Sequence, residues 1–179
     1  MTRPLLFLDV DGPLLPFGAG PTPEVIVRVD AKLGDLARAR RGELGGSGEE
    51  TNPLVAQLDY RLGPLLAALP CQLVWATTWT HEANRTLSPL LGLPELPVVD
   101  WPEPVDDRVD AWFGLHWKTR PLIDWAAGRS FVWIDDELTD ADRAWVAEWH
   151  DGSALLHRVD SRIGLRRGDF EAIAEWIGG

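Results

Sequence analysis

Cysteine, lysine and long apolar runs are scarce in this chain of 179 residues. Cys71 is the single cysteine, which excludes an internal disulfide and fits a reducing cytoplasm. No apolar run approaches the roughly 20 residues of a membrane-spanning helix, so we expect no membrane partner. Positively charged residues are also outnumbered by negatively charged ones. The formal net charge of -11 disfavours nucleic acid as a partner, because an acidic surface repels phosphate backbones.

The pattern of apolar residues predicts strands that alternate with helices. Short apolar runs predict buried parallel strands over residues 4–9, 72–77, 96–100, 131–135 and 154–159. Helical spacing and end signals predict helices over residues 53–69, 82–91, 118–127, 139–150 and 168–177. Pro64 is expected to kink or split the first helix, and Thr139 with Asp142 to form a capping box. This order predicts an α/β fold with about five parallel strands between two layers of helices.

We expect a single domain over residues 1–179, with residues 18–52 as a small flap or cap inserted after the first strand. That insert is rich in glycine. Its arginines either form a basic flap over an anionic substrate or belong to a solvated loop: Arg28, Arg38, Arg40 and Arg41. The acidic segment 101–110 is predicted to be a solvated loop.

Two carboxylates follow the first predicted strand in Asp9-Val10-Asp11-Gly12. Residues at i and i+2 can point to the same side, where like charges repel unless a cation lies between them. A divalent cation with oxygen ligands relieves that repulsion. Gly12 allows a sharp turn and a close approach of a ligand to the backbone, which makes it a candidate for substrate binding. A plain surface turn is the alternative.

The ends of two other predicted elements carry groups that can bind a phosphate. Thr77 and Thr78 follow the second strand, where hydroxyl and backbone N–H groups can hold a phosphoryl oxygen. Lys118 opens a predicted helix and can neutralise a phosphate there. Ordinary capping and surface roles are the alternatives for these residues.

The fourth predicted strand runs from apolar residues directly into Asp135 and Asp136. Two acids at a buried strand end suit the second half of a site for a hard cation. Parallel strands bring their carboxyl ends to one edge of the sheet. We therefore expect Asp135 and Asp136 to lie near Asp9 and Asp11.

The segments LDVDGPL, LVWATTWTHEAN, HWKT and WIDDE, in this order, resemble the haloacid-dehalogenase (HAD) superfamily. Together with LLGLP and LPVV they are similar to the subgroup associated with Swiss Army Knife RNA repair proteins. Receiver domains use the same residue types, but their phosphorylated aspartate lies on a middle strand, before the threonine and the lysine. The order of the acids here favours the HAD resemblance, which implies a three-layer Rossmannoid fold.

The resemblance also implies a mechanism. Asp9 is expected to be the nucleophile that attacks phosphorus, and Asp11 the general acid and base. Thr77, or alternatively Thr78, is expected to bind a phosphoryl oxygen. Lys118 is expected to balance the charge of Asp9 and the phosphate.

A magnesium ion is the cofactor that the resemblance implies. Its expected ligands are Asp9, the backbone carbonyl of Asp11 and Asp135. Asp136 is expected to be a further ligand or to lie in the outer shell. Asp11 itself argues for phosphate chemistry, because true dehalogenases lack this second aspartate.

Three functions remain open on these grounds. The first is a phosphatase that acts on a phosphorylated small molecule or a terminal phosphate. The second is a phosphatase for nucleic-acid ends, and the third is a non-catalytic module that binds a phosphorylated ligand. Four tryptophans flank the motifs and either stack on a base or pack in the core: Trp75, Trp79, Trp117 and Trp133.

Overall fold

The computed structural model describes residues 3–18, 55, 57–102 and 107–179. Its four strands form one parallel sheet in the order β2-β1-β3-β4. The strands are β1 (Leu5–Leu8), β2 (Gln72–Trp75), β3 (Phe131–Asp135) and β4 (Ala154–Arg158). The helices are α1 (Leu62–Ala68), α2 (Glu82–Leu91), α3 (Asp107–Phe113), α4 (Thr119–Ala126), α5 (Asp140–Trp149) and α6 (Arg167–Gly178).

The side chains of β1 alternate between two apolar cores, one on each face of the sheet. Leu6 and Leu8 pack in a core that contains residues of α1, α2 and α6. Leu5 and Phe7 pack in a core that contains residues of α4 and α5. A central strand that is covered on both faces has no polar position, which explains the unbroken LLFL run. The predicted three-layer α/β fold is confirmed.

The edge of the sheet differs from the prediction. Residues 96–100 were expected to form a strand, but only one isolated bridge joins Val98 to Trp75. Two hydrogen bonds support that bridge: the Trp75 N–H donates to the Pro97 carbonyl at 2.9 Å, and the Val99 N–H donates to the Trp75 carbonyl at 2.9 Å. Proline has no N–H to donate, so Pro97 limits how far this segment can pair. Within the described residues, the sheet therefore has four strands instead of the predicted five or so.

Two further boundaries were predicted wrongly. The helix expected over residues 53–69 is α1, which begins only at Leu62, and Pro64 therefore lies in its first turn instead of kinking its middle. Proline is tolerated there, because the N–H groups of a first turn have no partner within the helix. Segment 101–110 was expected to be a loop, but α3 begins at Asp107.

The other helices lie close to their predicted positions. Helix α2 ends at Gly92, whose φ of 69° is left-handed. Helix α5 begins with the predicted capping box of Thr139 and Asp142. Residues 19–52 of the expected insert, with its arginines, lie outside the described residues. Within the described ranges, no helix has the length and apolar character that crossing a membrane requires.

Candidate active site

The carboxyl edge of the sheet brings Asp9, Asp135 and Asp136 together. Leu8 pairs with Trp75 on one side and with Ile134 on the other. The ladder continues past Leu8, because the Asp9 N–H donates to the Ile134 carbonyl at 3.1 Å. Asp9 and Asp135 are consequently neighbours at the end of the two central strands. Both are buried, Asp135 completely and Asp9 at 7% exposure.

Lys118 lies between these two aspartates. Its Nζ is 3.0 Å from Oδ1 of Asp9 and 2.9 Å from Oδ2 of Asp135. The lysine side chain is only 3% exposed, so the ammonium group has exchanged most of its hydration for two carboxylates. Truncating one member of such a group would leave a buried charge without compensation, which is costly.

Burial raises the pKa of Asp9 to about 7; Lys118 opposes the rise, and the Asp135 carboxylate adds to it. Burial alone would lower the pKa of Lys118, but the Asp9 and Asp135 carboxylates outweigh it, and the pKa lies above its ordinary value. Burial also raises the pKa of Asp136, and the neighbouring Asp135 contributes. One lysine therefore does not fully offset the crowding of carboxylates at this edge.

The buried Asp142 holds the segment that carries Lys118. One of its oxygens, Oδ1, accepts from the His116 N–H at 2.7 Å and from the Thr119 hydroxyl at 2.6 Å. The other, Oδ2, accepts from the N–H and the hydroxyl of Thr139 at 2.8 and 2.7 Å. The same carboxylate thus caps α5 and fixes the residues on both sides of Lys118.

Gly12 allows Asp136 to approach the loop that follows β1. Its φ of 88° is left-handed, and a Cβ added there would lie 2.5 Å from the carboxyl carbon and one carboxyl oxygen of Asp136. Any side chain at this position would therefore push the Asp136 carboxylate away. The structure gives Gly12 a steric role, and the substrate-binding role predicted from the sequence remains a prediction.

Tryptophan side chains donate hydrogen bonds to the residues of this site. The indole N–H of Trp79 donates to Oδ2 of Asp11 at 3.1 Å, and that of Trp133 donates to Oδ2 of Asp135 at 3.2 Å. Trp101 donates to the backbone carbonyl of Thr77 at 3.0 Å. Core packing was one of the two roles expected for the tryptophans near the motifs: Trp75 and Trp133 are fully buried, whereas Trp79 and Trp117 are half-buried.

Thr77 and Thr78 differ in their surroundings. Thr77 is fully buried, and its Oγ1 accepts from the Trp79 N–H at 3.3 Å. Thr78 is exposed. The hydroxyl of Thr77 therefore belongs to the turn that follows β2, and binding of a phosphoryl oxygen by either threonine stays a prediction.

Among the residues that the structure describes, two groups of side chains have the spacing of a metal site. Asp9, Asp135 and Asp136 each offer a carboxylate oxygen, and these oxygens lie within 4.8 Å of one another. Such an all-oxygen set fits a hard divalent cation such as Mg²⁺. The raised pKa values of Asp9 and Asp136 support this fit, because a cation would relieve the crowding.

The second group, His116 with Asp135 and Glu137, fits a cation less well. Nδ1 of His116 accepts the backbone N–H of Lys118 at 3.1 Å. The other ring nitrogen, Nε2, then carries the proton and donates a hydrogen bond to Glu137 at 3.1 Å. A metal ion requires a free lone pair on the nitrogen, and this tautomer offers none.

Residues 5–170 match the family described as the HAD domain in Swiss Army Knife RNA repair proteins. The chain belongs to this family. No curated protein and no solved structure matches it. The family match confirms the resemblance drawn from the motifs and supports a hydrolase of the HAD type.

The sequence pointed to Asp9, Asp135 and Lys118, which the structure brings together, but not to the residues that hold them in place. Asp142 was predicted only as a capping residue, since its bonds to His116 and Thr119 join segments more than 20 residues apart. The position of Trp79, two residues after Thr77, could have marked it as a candidate site residue. The spacing alone does not reveal that its indole meets Asp11, which is 68 residues away.

Proposed function

We propose that this HAD domain is a magnesium-dependent phosphatase that works through an aspartyl-phosphate on Asp9. The observation that carries this proposal is the buried group in which Lys118 contacts both Asp9 and Asp135. A domain that only bound phosphate would have no need of both a buried carboxylate at Asp9 and a second, hydrogen-bonded carboxylate two residues later, that of Asp11.

In the first step, an oxygen of Asp9 attacks the phosphorus of a phosphomonoester. The bond between phosphorus and the leaving oxygen breaks, and Asp11 donates a proton to that oxygen. Lys118 stays within reach of Asp9 and offsets the negative charge that gathers around the phosphoryl group. The products of this step are a free alcohol and a phosphorylated Asp9.

In the second step, Asp11 accepts a proton from water, and the resulting hydroxide attacks the phosphorus of the aspartyl-phosphate. The bond to the Asp9 oxygen breaks, which returns the carboxylate and releases inorganic phosphate. Thr77 is proposed to hold a phosphoryl oxygen in both steps, with Thr78 as the alternative.

Asp9, Asp135 and Asp136, with the backbone carbonyl of Asp11, would hold the magnesium ion. When bound, the ion supplies positive charge that lowers the cost of bringing a phosphate dianion to three carboxylates. The preference of Mg²⁺ for carboxylate oxygens over imidazole agrees with this choice of ligands.

The substrate class that fits these residues is a phosphomonoester, either a small molecule or a terminal phosphate. The family description favours a second candidate, the terminal phosphate of an RNA strand. The net charge of -11 weakens long-range attraction for RNA, so a short end is easier to accept than an extended duplex. Cys71, the lone and buried cysteine, agrees with a cytoplasmic location.

Phosphate release from a panel of phosphomonoesters, including RNA ends, tests this proposal. We expect turnover that requires Mg²⁺, stops with a chelator, and falls by at least about a thousandfold in Asp9→Asn. Asp151→Asn is the matched control, because Asp151 is exposed and outside the site. Equal activity of Asp9→Asn and the unchanged protein would refute Asp9 as nucleophile. Phosphate binding without turnover would support the non-catalytic module instead.

A further inference from the structure

The hydrogen bond between Trp79 and Asp11 joins the turn after β2 to the loop after β1. The indole Nε1 lies 3.1 Å from Oδ2 of Asp11. Both side chains are half-buried, and the Trp79 ring packs against the core that contains Leu6 and Leu8. An indole N–H is a donor only, so Trp79 can hold the Asp11 carboxylate but cannot take over its proton transfer.

The backbone around Trp79 is held in an unusual conformation. Thr80 has a φ of 46°, which is rare for a β-branched residue because it is sterically strained. The Thr80 N–H donates to the Thr77 carbonyl at 3.2 Å, and the Glu82 N–H donates to the Trp79 carbonyl at 2.9 Å. This strained turn, followed directly by α2, directs the ring of Trp79 toward Asp11.

We propose that Trp79 is a positioning residue for Asp11, an inference that rests on the proposed phosphatase function. By fixing Oδ2, the indole leaves Oδ1 of Asp11 turned toward the leaving oxygen in the first step and toward water in the second. Asp11 is followed by a glycine and is half-exposed, so without this donor its side chain has several rotamers available. A misplaced general acid or base loses much of its effect.

Two aryl phosphates of similar size but different leaving groups distinguish a loss of Asp11 positioning from a general loss of structure in Trp79→Phe. A para-nitrophenolate leaves without much help from an acid, whereas a para-methylphenolate needs the proton. In Trp79→Phe we expect kcat/KM for para-methylphenyl phosphate to fall at least about tenfold. For para-nitrophenyl phosphate we expect kcat/KM to change less than about threefold, while kcat and KM fall together because the second step still needs Asp11.

Two comparisons sharpen this test. Trp149→Phe serves as control, since Trp149 is 63% exposed and outside the site, and we expect both esters to be unaffected. In an Asp11→Asn background, Trp79→Phe should change the turnover of para-nitrophenyl phosphate by less than about twofold, because the residue it positions is gone. Equal losses for both esters, or equal losses in both backgrounds, would overturn the positioning role while leaving the phosphatase proposal intact.

A spectroscopic readout keeps the inference testable if Trp79→Phe does not fold. The indole proton of Trp79 resonates downfield when its acceptor is a carboxylate, so Asp11→Asn should move one indole N–H resonance upfield. A spectrum in which no indole resonance moves would contradict the contact. If the unchanged protein releases phosphate from neither ester and from no member of the panel that includes RNA ends, the phosphatase function itself fails, and the role of Trp79 fails with it.

Discussion

Asp9 is a carboxylate whose environment disfavours its charged form. It is buried, with Asp135 and Lys118 close by, and burial raises its pKa to about 7. A nucleophile must be ionised to attack phosphorus, so the charges around it have to favour the carboxylate at the moment of reaction. Lys118 supplies part of that charge, and the bound cation that we propose would supply the rest.

The raised pKa of Asp9 predicts how stability changes with pH when magnesium is removed by a chelator. The folded protein holds the Asp9 proton more tightly than the unfolded chain does, because the pKa of Asp9 in the unfolded chain is the ordinary aspartate value of 3.8. The stabilising contribution is therefore complete below about pH 4 and is lost as the pH rises toward about 7. Relative to Asp9→Asn, the unchanged protein should lose unfolding free energy, on the order of 1 kcal/mol per pH unit, over this range.

Urea denaturation of both proteins at several pH values measures this difference directly. Asp151→Asn is again the control, and we expect its difference from the unchanged protein to stay flat with pH, because that side chain is exposed. A flat difference for Asp9→Asn as well would show that burial of Asp9 is not linked to its protonation.

Gly12 offers a second prediction, because Gly92 provides a matched control. Both glycines have left-handed φ values, 88° and 69°, but an added Cβ at Gly92 meets nothing within 4 Å. Gly92→Ala should therefore cost only the backbone strain of about 1 kcal/mol and leave catalysis unchanged. Gly12→Ala adds the clash with Asp136, worth about 1–3 kcal/mol more, and should weaken magnesium binding.

Thermal denaturation and the magnesium dependence of turnover distinguish these two glycine variants. The expected result is a lower apparent Mg²⁺ affinity in Gly12→Ala alone. Identical magnesium dependence in both variants would mean that the approach of Asp136 to Gly12 does not matter for the cation.

At the level of elements, one carboxylate couples the start of α5 to the segment before α4. Asp142 accepts four hydrogen bonds, from His116, Thr119 and the two donors of Thr139. Lys118 lies between two of these anchored residues. The position of its ammonium therefore depends on a helix cap that does not itself touch the candidate substrate site.

Asp142→Ala should lower both stability and activity. We expect a loss of about 2–4 kcal/mol in unfolding free energy, because buried donors lose their acceptor, and a lower kcat because Lys118 is less well held. Asp169→Ala is the control: Asp169 accepts from the Arg166 N–H at the start of α6, but it is partly exposed, and its side chain also contacts His157, not a residue beside Lys118. It should cost about 1 kcal/mol and spare kcat.

Stability from urea denaturation and kcat with para-nitrophenyl phosphate measure the two effects separately. If Asp142→Ala were destabilised but kept full kcat at a temperature where it stays folded, the link from the α5 cap to Lys118 would be wrong.

On the scale of the whole molecule, local patterns predicted most of the fold. Continuous apolar runs identified the four strands, and Gly92 and the Thr139 capping box identified helix ends, because these signals depend on neighbours in sequence. Segment 96–100 was predicted as a strand because its composition suits one, yet pairing requires N–H groups that proline removes. The start of α3 also escaped prediction.

In the site, too, the features that depend on local sequence were predicted and those that depend on long-range packing were not. Asp9, Asp11 and Asp135 were singled out because the carboxyl ends of parallel strands meet at one edge, and Lys118 because it opens a predicted helix. Their catalytic roles stay predictions. Their supports were not found, because the contacts of Trp79 with Asp11 and of Asp142 with His116 join distant segments. Side-chain hydrogen bonds of this kind follow from packing, and no local spacing encodes them.

The central claim is that Asp9 becomes phosphorylated during turnover. Asp11→Asn tests it best with para-nitrophenyl phosphate, because the first step with this leaving group needs little acid and the second step lacks its base. After acid quenching, mass spectrometry should find one phosphoryl group on the peptide that contains Asp9, and none when Asp9→Asn is added. A quenched protein without the adduct, or an adduct that persists after Asp9→Asn, would contradict the account.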